Sequence, residues 1–381
     1  MNKMEKNYKI CSRCVCDTTI SHIKFDDNGV CNFCKSHDAL IDHYNKEIKS
    51  GALFGIIQNI RKEGEGKKYD CIIGVSGGTD SIYTLYLAKN EWKLRPLAVH
   101  FDNGWNKNIA VENIKKACTK LEVDLYTYVV NWEEFKNLQL AFLKASVPDV
   151  EIPTDIGIHG ILYKTAKEEG LKYILGGQCF KAEGTVPIEW SFIDGTYLKD
   201  VYGKFGSKQL KTFPNITVGR IVFYTLLRRI KQIPVLNYID YNKVDARRVL
   251  EDELGWQYYG GHHYENMYSH FAFGYYSLVK FGIDKRKISL SGPIRMGLIG
   301  RKEAMEEIKT PPIVNQEEVD YCIKKLGLTR EEFEKIICTP NQSFHDYYTS
   351  YSALKFLRPF IKLAARFKFI SPVVYEKFLN H

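Results

Sequence analysis

Six adjacent residues combine glycine, hydroxyl and carboxylate side chains in a pattern that suits phosphate chemistry. They are Ser76, Gly77, Gly78, Thr79, Asp80 and Ser81, and they lie between the apolar run DCIIGVS and residues with helical spacing. Backbone N–H groups at a helix start attract anions, and glycines let the backbone approach them closely. A Walker-type loop would carry a lysine here, whereas Asp80 offers a carboxylate that suits Mg²⁺. The pattern favours a pyrophosphate site, and a turn that serves only strand–helix packing is the alternative.

Four cysteines near the start have the spacing of a metal site. Cys11 and Cys14 form one CxxC pair, and Cys31 and Cys34 form a second. Two such turns bring four thiolates to one point, which predicts a zinc ribbon whose ion has no open position. An iron–sulfur cluster is the weaker alternative. Cys16 lies outside the pairing pattern and is expected not to be a ligand.

The loop lies in a region where strand-like and helix-like segments alternate. Buried strands are predicted at 70–76, 95–102, 124–130 and 172–178, with helices at 79–90, 107–121 and 155–169. This alternation is typical of βαβ units in an α/β fold, with a mostly parallel sheet covered on both faces. We predict three domains: a zinc ribbon at 1–45, an ATP-binding α/β domain at 66–245, and a mainly helical substrate- or partner-binding region at 246–381.

The C-terminal stretch ALKFLRPFIKLAARFKFISPVVYEKFL is amphipathic and basic. Such a segment can lie on a membrane surface. We expect instead that its apolar face packs on its own domain.

Composition limits the class of protein. In 381 residues, 45% are hydrophobic and 26% are charged, as in an ordinary globular protein and unlike a disordered or fibrous one. There is no apolar run of bilayer length and no recognisable signal-peptide core at the start, which predicts a cytoplasmic protein. A net charge of +9 is compatible with RNA, an anionic membrane or an anionic small substrate.

The hexapeptide SGGTDS resembles the signature of the PP-loop ATP pyrophosphatases. The resemblance implies a PP-loop fold, cleavage of ATP between the α and β phosphates, and adenylation of a carbonyl or carboxyl oxygen. It also implies that Asp80 positions magnesium and that Phe101 and Asp102, in HFDNGW, contact adenosine. Gly177 and Gln178 end a later strand at the same edge, and Glu183 follows nearby. Asp102 could equally cap a helix, and Gly176-Gly177 could be a plain turn.

The source of the nucleophile separates the members of this superfamily. The chain begins Met-Asn-Lys, and GQCFK has Lys181 where a glutaminase elbow needs glycine. Glutamine hydrolysis therefore requires a separate subunit.

A tRNA-thiolating enzyme would use reactive cysteines. Cys71 is expected to be a buried core residue, and Cys179 is a candidate without a nearby CxxC partner.

The stretch 253–308 resembles the N-acetyl sugar amidotransferases of surface-polysaccharide and lipopolysaccharide biosynthesis. The similar pieces are GW, GGHHYE, KFGIDKR and GLIGRKEA, and together with the cysteine pairs, SGGTDS and HFDNGW they cover nearly the whole chain. His262 stands where this family has a lysine, which leaves the function of that lysine in doubt.

This second resemblance implies an activated or nonulosonate sugar whose acetamido oxygen is adenylated and then replaced by nitrogen, giving an acetamidino sugar. His263 or Glu265 could be the general base. Polar residues that would suit the anionic sugar are Glu183, Lys285, Arg286, Arg295 and Arg301. Surface ion pairing is the alternative for at least half of these.

The implied cofactors are ATP, Mg²⁺ and Zn²⁺. The implied partners are a HisH-like glutaminase subunit and a HisF-like ammonia-delivering subunit, and no nucleic acid is expected. Two other functions stay open from the sequence: a tRNA-thiolating enzyme, and a nucleotide-binding scaffold that regulates a glutaminase.

Overall fold

The centre of the protein is a five-stranded parallel sheet. The computed structural model describes residues 8–261, 264–312, 315–366 and 371–379. The strands are β1 (Cys71–Gly74), β2 (Pro96–Asp102), β3 (Leu125–Val129), β4 (Tyr173–Gly176) and β5 (Lys231–Pro234). Their order is β3-β2-β1-β4-β5, and every neighbouring pair is parallel. The four strands predicted from the sequence are confirmed, whereas the short, polar β5 was not predicted.

Helices precede, connect and follow the strands. Before and between the strands lie α1 (Asn32–Lys49), α2 (Ala52–Glu63), α3 (Thr79–Tyr86), α4 (Asn108–Lys120), α5 (Trp132–Lys144), α6 (Ile152–Glu168), α7 (Phe180–Glu183), α8 (Gly195–Phe205) and α9 (Val218–Val222). After β5 lie α10 (Lys243–Leu254), α11 (Met267–His270), α12 (Ser277–Phe281), α13 (Arg286–Arg295), α14 (Arg301–Lys309), α15 (Gln316–Lys325), α16 (Arg330–Cys338), α17 (Tyr351–Phe356), α18 (Arg358–Arg366) and α19 (Pro372–Leu379). The mainly helical C-terminal region is therefore confirmed. The predicted domain boundaries at 45 and 245 fall inside α1 and α10.

Alternation along the strands builds a core on each face of the sheet. Ile72 belongs to a buried cluster with Val99 and helix α6, whereas its neighbour Ile73 belongs to a separate cluster with Ala98 and helix α3. Successive side chains of a strand point to opposite faces, so each face receives every second residue. The prediction of a parallel α/β sheet covered on both faces is confirmed.

Strand β3 departs from the prediction of a buried strand. Its residues are mostly exposed, and Val129 retains 66% of its accessible surface. The strand lies at one end of the sheet order and pairs with β2 on one side only. An apolar composition alone does not distinguish such an edge strand from a central one.

The C-terminal helices also differ from expectation. Phe356 is 83% exposed and Phe360 is 68% exposed, so part of this apolar face is uncovered by the described residues. Leu354 of α17 packs against the main core, and Val373 of α19 packs against a cluster that contains Leu40 and Tyr44. Across the described ranges, no helix is long and apolar enough to cross a membrane.

Candidate functional site

The glycine-rich loop leaves the carboxyl end of β1 and enters α3, as predicted. Gly77 adopts a φ of +83°, and a Cβ at this position would collide with the carbonyl oxygen of Ala110. Only glycine combines that conformation with that close approach. The carbonyl oxygen of Gly77 accepts a hydrogen bond from Nε1 of the buried Trp256 at 2.8 Å. The C-terminal region therefore holds the loop in shape.

The hydroxyl groups of the loop bind the loop itself. The backbone N–H of Ser76 donates to Ser81 Oγ at 3.1 Å, and the N–H of Gly78 donates to Ser76 Oγ at 3.3 Å. Ser76 is exposed, whereas Thr79 is buried. The six predicted residues thus form one compact turn at the N-terminus of α3, where backbone N–H groups and the helix dipole favour an anion.

Asp80 has two partners that the sequence did not reveal. The Tyr241 hydroxyl donates to its Oδ1, and Lys243 Nζ donates to its Oδ2 at 2.7 Å. Both partners come from the start of α10, far along the chain. Burial lowers the pKa of Lys243, but the charges of Asp80 and Glu183 outweigh burial and raise it, so this side chain stays an ammonium. A lysine therefore lies at the loop after all, supplied from a remote segment.

Two of the predicted edge residues approach the loop. A Cβ on Gly177 would lie 2.7 Å from the carbonyl oxygen of Asp80, so glycine is required for β4 to pack against the start of α3. Glu183 acts electrostatically on both Tyr241 and Lys243, the partners of Asp80. Gln178 is exposed at the same strand end.

The other two edge residues have structural contacts. The Phe101 side chain is buried in the core, where it stacks on Tyr128. Asp102 Oδ1 accepts from the backbone N–H of Gly104 at 2.9 Å and from Asn106 Nδ2 at 3.2 Å. Asp102 therefore stabilises the turn after β2 and does not cap a helix, since Lys107 precedes α4 at the cap position. Adenosine contact by either residue stays a prediction.

Glu265 lies beside the loop. A Cβ on Gly78 would be 3.8 Å from Glu265 Oε1 and 3.0 Å from the Tyr259 hydroxyl. The carbonyl oxygen of Glu265 accepts from the backbone N–H of Lys107 at 2.9 Å. The structure thus brings Glu265 together with the loop, while His263 lies outside the described residues.

The predicted basic residues separate into different environments. Lys285 Nζ lies 3.4 Å from the centroid of the Phe273 ring. Arg286 is bonded to both carboxylate oxygens of Asp284 and to backbone carbonyls at the end of α14. Contacts of this kind position the chain, and a role of Arg286 in binding substrate stays a prediction.

The four paired cysteines converge, as predicted. Their sulfur atoms all lie within 4.8 Å of one another. The Sγ atoms of Cys11 and Cys34 are 3.8 Å apart, and those of Cys14 and Cys31 are 3.7 Å apart. A tetrahedron of sulfurs at about 2.3 Å from a central ion has edges of about 3.8 Å. The set therefore fits a single tetrahedrally coordinated ion.

The remaining predicted arginines contact this cysteine cluster. Arg295 Nε donates to Cys34 Sγ at 3.2 Å, and its Nη2 donates to Cys14 Sγ at 3.4 Å. Arg301 donates to the backbone carbonyls of Cys14 and Cys11 at 3.0 and 2.8 Å. The structure places both guanidinium groups at the metal cluster, where they offset thiolate charge, and their use by a substrate stays a prediction.

Of the other cysteines, Cys338 is exposed, and Cys16, Cys71, Cys118, Cys179 and Cys322 are buried. Cys16 lies beside the four-sulfur set, with its Sγ 3.3 Å from Ser291 Oγ, and is not part of the converging group. Burial raises the pKa of Cys71, and it raises the pKa of Cys179 to about 12. A thiol with a raised pKa is a poor nucleophile. The expectation that Cys179 could be reactive therefore has no support from its surroundings.

Residues 265–359 match a family described as "LPS biosynthesis protein WbpG-like, C-terminal domain". Among curated proteins, "Uncharacterized protein MJ1599" of Methanocaldococcus jannaschii is 29% identical over 171 residues, which is 44% of this chain. The match spans 58% of that relative's length.

Solved structures with similar architecture include the U34-tRNA thiolase NcsA from Methanococcus maripaludis with its 4Fe–4S cluster. It has 16% identity and a TM-score of 0.31, with 84% of this chain and 97% of that chain covered. The NMN synthetase from Francisella tularensis has 14% identity and a TM-score of 0.29, with 82% of this chain and 99% of that chain covered.

Proposed function

We propose that this protein is an ATP-dependent amidotransferase that converts an acetamido sugar into an acetamidino sugar for surface-polysaccharide biosynthesis. The observation that carries the proposal is the position of the WbpG-like match. It begins at Glu265, and this residue lies beside Gly78 of the anion-binding loop. A segment similar to a lipopolysaccharide biosynthesis protein thus forms part of the wall around a phosphate-type loop.

The residues at the loop suit the departure of pyrophosphate. Backbone N–H groups at the start of α3 and the Lys243 ammonium would bind the leaving phosphates. The Asp80 carboxylate, with Glu183 nearby, provides the oxygen ligands that Mg²⁺ prefers, and a bound magnesium ion would neutralise phosphate charge. Tyr241 and Lys243 each donate to one oxygen of Asp80, and because a carboxylate oxygen has two lone pairs, each oxygen retains one for such an ion.

The reaction needs activation because an amide is a poor electrophile. The acetamide oxygen attacks the α phosphorus of ATP and pyrophosphate leaves, which turns that oxygen into part of a good leaving group. Ammonia then forms the new C–N bond and AMP departs. We propose that a separate HisH-like glutaminase and a HisF-like subunit deliver the ammonia, that the protein acts in the cytoplasm, and that zinc occupies the cysteine cluster.

The test is release of pyrophosphate from Mg·ATP with an ammonium salt and a panel of acetamido sugar nucleotides and nonulosonates, beside bulk tRNA. We expect turnover with one sugar, with its acetamide oxygen replaced by nitrogen in the mass spectrum, and loss of turnover in Asp80→Ala. Pyrophosphate release that depends on tRNA and on no sugar would overturn the proposal in favour of the thiolating alternative. The buried Cys71 and Cys179 weigh against that alternative.

A further inference from the structure

A second group of ionisable side chains lies at the start of α6 and has no part in the function proposed above. Asp149, Glu151 and Asp155 surround the start of α6, and their charges all act on the ammonium of Lys285. Glu151 is only 4% exposed. This carboxyl group and its neighbours form what we call the acidic subsite, defined by Asp149, Glu151, Asp155 and Tyr268.

One short segment connects the acidic subsite with the loop. Glu265 lies beside Gly78, and four residues later Ser269 Oγ donates to Glu151 Oε2 at 3.1 Å. Between them, Asn266 Nδ2 donates to Asn103 Oδ1 at 3.0 Å, just beyond the end of β2. The acidic subsite and the loop are therefore two parts of one continuous region at the carboxyl edge of the sheet.

The subsite contains buried polar atoms that lack partners. Glu151 Oε1 and the Tyr268 hydroxyl have no hydrogen-bond partner within the ranges that the structure describes. Tyr268 is fully buried, and Glu151 is its strongest charged neighbour. A buried polar group without a partner costs free energy, so atoms of this kind mark the place of a ligand or an ordered water.

The chemistry of these atoms selects the class of ligand. A carboxylate oxygen and a phenol oxygen both accept hydrogen bonds, and three carboxyl groups face one lysine, so a cationic donor fits best. The oxygens do not converge as metal ligands do; in the described part of the chain, the four cysteines form the only such group. Lys285 Nζ lies over the face of the Phe273 ring, and the three carboxyl charges favour its ammonium form, although burial outweighs them and lowers its pKa.

We propose that the acidic subsite binds the ammonia nitrogen, as ammonium, and that Glu151 takes up its proton. This inference rests on the proposed amidotransferase function. The proton moves from NH₄⁺ to the Glu151 carboxylate, leaving NH₃ and a carboxylic acid. The nitrogen lone pair then forms the C–N bond to the activated carbon, and the C–O bond breaks with its electron pair leaving on AMP. Charge is conserved, since the amidinium product balances the charge gained by AMP.

The surroundings of Glu151 suit a proton acceptor that works near neutral pH. Burial, followed by the charges of Asp155 and Asp149, raises its pKa to about 8, against the weaker opposing effects of the Ser269 and Thr154 hydroxyl groups. The other titratable groups that interact with the subsite residues are Lys285, Tyr268, Tyr276, Tyr197 and Cys322. An ammonium ion beside Glu151 lowers that pKa again, so binding of the ion and release of the carboxyl proton are coupled.

The decisive experiment separates adenylation from nitrogen transfer. Adenylation is measured as the exchange of labelled pyrophosphate into ATP in the presence of the sugar and the absence of ammonium. Nitrogen transfer is measured as the rate of product formation at a series of ammonium chloride concentrations. For Glu151→Gln we expect exchange within about twofold of wild type and a KM for ammonium raised at least about tenfold, with Tyr268→Phe giving a smaller rise. Glu112→Gln, on the exposed face of α4, is the matched control. Exchange and turnover falling together, or neither changing, would overturn the proposal.

If no sugar supports pyrophosphate exchange, that result counts against the proposed amidotransferase function. Binding of ammonium to the acidic subsite can still be tested by a separate measurement. The melting temperature of the wild type should rise in ammonium chloride relative to sodium or tetramethylammonium chloride at equal ionic strength. Glu151→Gln should abolish that rise. The infrared carbonyl band of the protonated Glu151 carboxyl should also weaken when ammonium is added. Identical melting in all three salts would mean that the unpaired atoms hold only water.

Discussion

Lys243 explains how a loop with an aspartate can still present a positive charge to phosphates. Its ammonium bonds to Asp80, and the Tyr241 hydroxyl bonds to the other oxygen of the same carboxylate. The carboxylate keeps the lysine charged despite burial, and the lysine holds the carboxylate in one orientation. The pair therefore functions as one unit, and neither residue can be replaced without changing the other.

We predict that Lys243→Ala lowers sugar- and ATP-dependent pyrophosphate release by about 10² to 10³, the usual cost of removing a preorganised group that stabilises developing charge. Lys243→Arg should recover only part of the rate because a planar guanidinium cannot replace the compact ammonium. Lys115→Ala, which removes an exposed lysine of α4, is the control. Equal rates for Lys243→Ala and the control would show that Lys243 only supports the structure.

Glu134 has a measurable effect on stability that depends on pH. Its buried carboxylate accepts backbone hydrogen bonds from Lys211, Thr212 and Phe213 at 3.0, 2.9 and 3.2 Å. Burial raises its pKa, but these bonds outweigh burial and hold the pKa below the ordinary 4.5. Its stabilising contribution is therefore present above about pH 4.5 and is lost as the pH falls through the lowered pKa of the folded state.

For Glu134→Gln we expect a loss of about 1–3 kcal/mol in the free energy of unfolding at pH 7, because an amide leaves some of the three N–H donors poorly satisfied. The loss should shrink as the pH falls below 4.5 and through the lowered pKa of Glu134. Urea unfolding at a series of pH values measures it. Glu133→Gln, its exposed neighbour, should change stability by only about 0.5 kcal/mol. A difference that stays constant with pH would contradict this interpretation.

Among the elements, the C-terminal helices cover their apolar face only in part. Leu354 of α17 and Val373 of α19 pack against buried clusters, whereas Phe356 and Phe360 are exposed. The amphipathic pattern was recognised from the sequence, and the expected packing on the same protein holds for part of this face. A hydrophobic stripe shows which residues share a face, and packing of the other elements determines whether anything covers it.

We predict that Phe356→Ala and Phe360→Ala each change the free energy of unfolding by no more than about 0.5 kcal/mol. Both rings are largely exposed to water, so their removal takes little apolar surface out of the core. Phe333→Ala on α16, where the ring is buried against Phe271, should cost about 3–5 kcal/mol. Urea unfolding of the three variants at one pH compares them. A loss above about 2 kcal/mol at Phe356 would mean that this face is covered in solution.

In the molecule as a whole, the cysteine cluster joins the N-terminal segment to helices α13 and α14. Arg295 and Arg301 come from α13 and α14 and bind residues 11–34, while Gly292 of α13 lies against Gly184 just after α7. Helix α7 in turn follows the strand end that packs on Asp80. The metal site therefore supports the region behind the candidate active site and is not an isolated N-terminal module.

We predict that Arg295→Gln weakens metal binding by about 10- to 100-fold, as expected for a residue that hydrogen-bonds to ligand sulfurs. Competition with a chromogenic chelator measures the affinity, and elemental analysis identifies the metal. Cys11→Ser should abolish stoichiometric binding and lower the melting temperature. Arg248→Gln, an exposed arginine of α10, is the control. Full retention of affinity in Arg295→Gln would contradict a supporting role for its guanidinium group.

The sequence by itself determined the features that depend on local spacing. The turn at Gly77, the CxxC pairs, four parallel strands and the helical C-terminal region follow from which residues are neighbours, because backbone conformation and hydrophobic periodicity are short-range properties. Strand β5 was missed since four residues of mixed polarity carry almost no periodic signal.

Which remote side chains meet depends on how the whole chain folds. Lys243 reaches Asp80 across 163 positions, and Arg295 reaches Cys34 across 261. The same packing buried Phe101, exposed Phe356 and placed Glu151 beside the segment that touches the loop. Contacts of this kind depend on how whole elements pack. Arg295 was predicted to bind a sugar and donates to cysteine sulfur, and the residues next to it in the sequence do not distinguish the two roles.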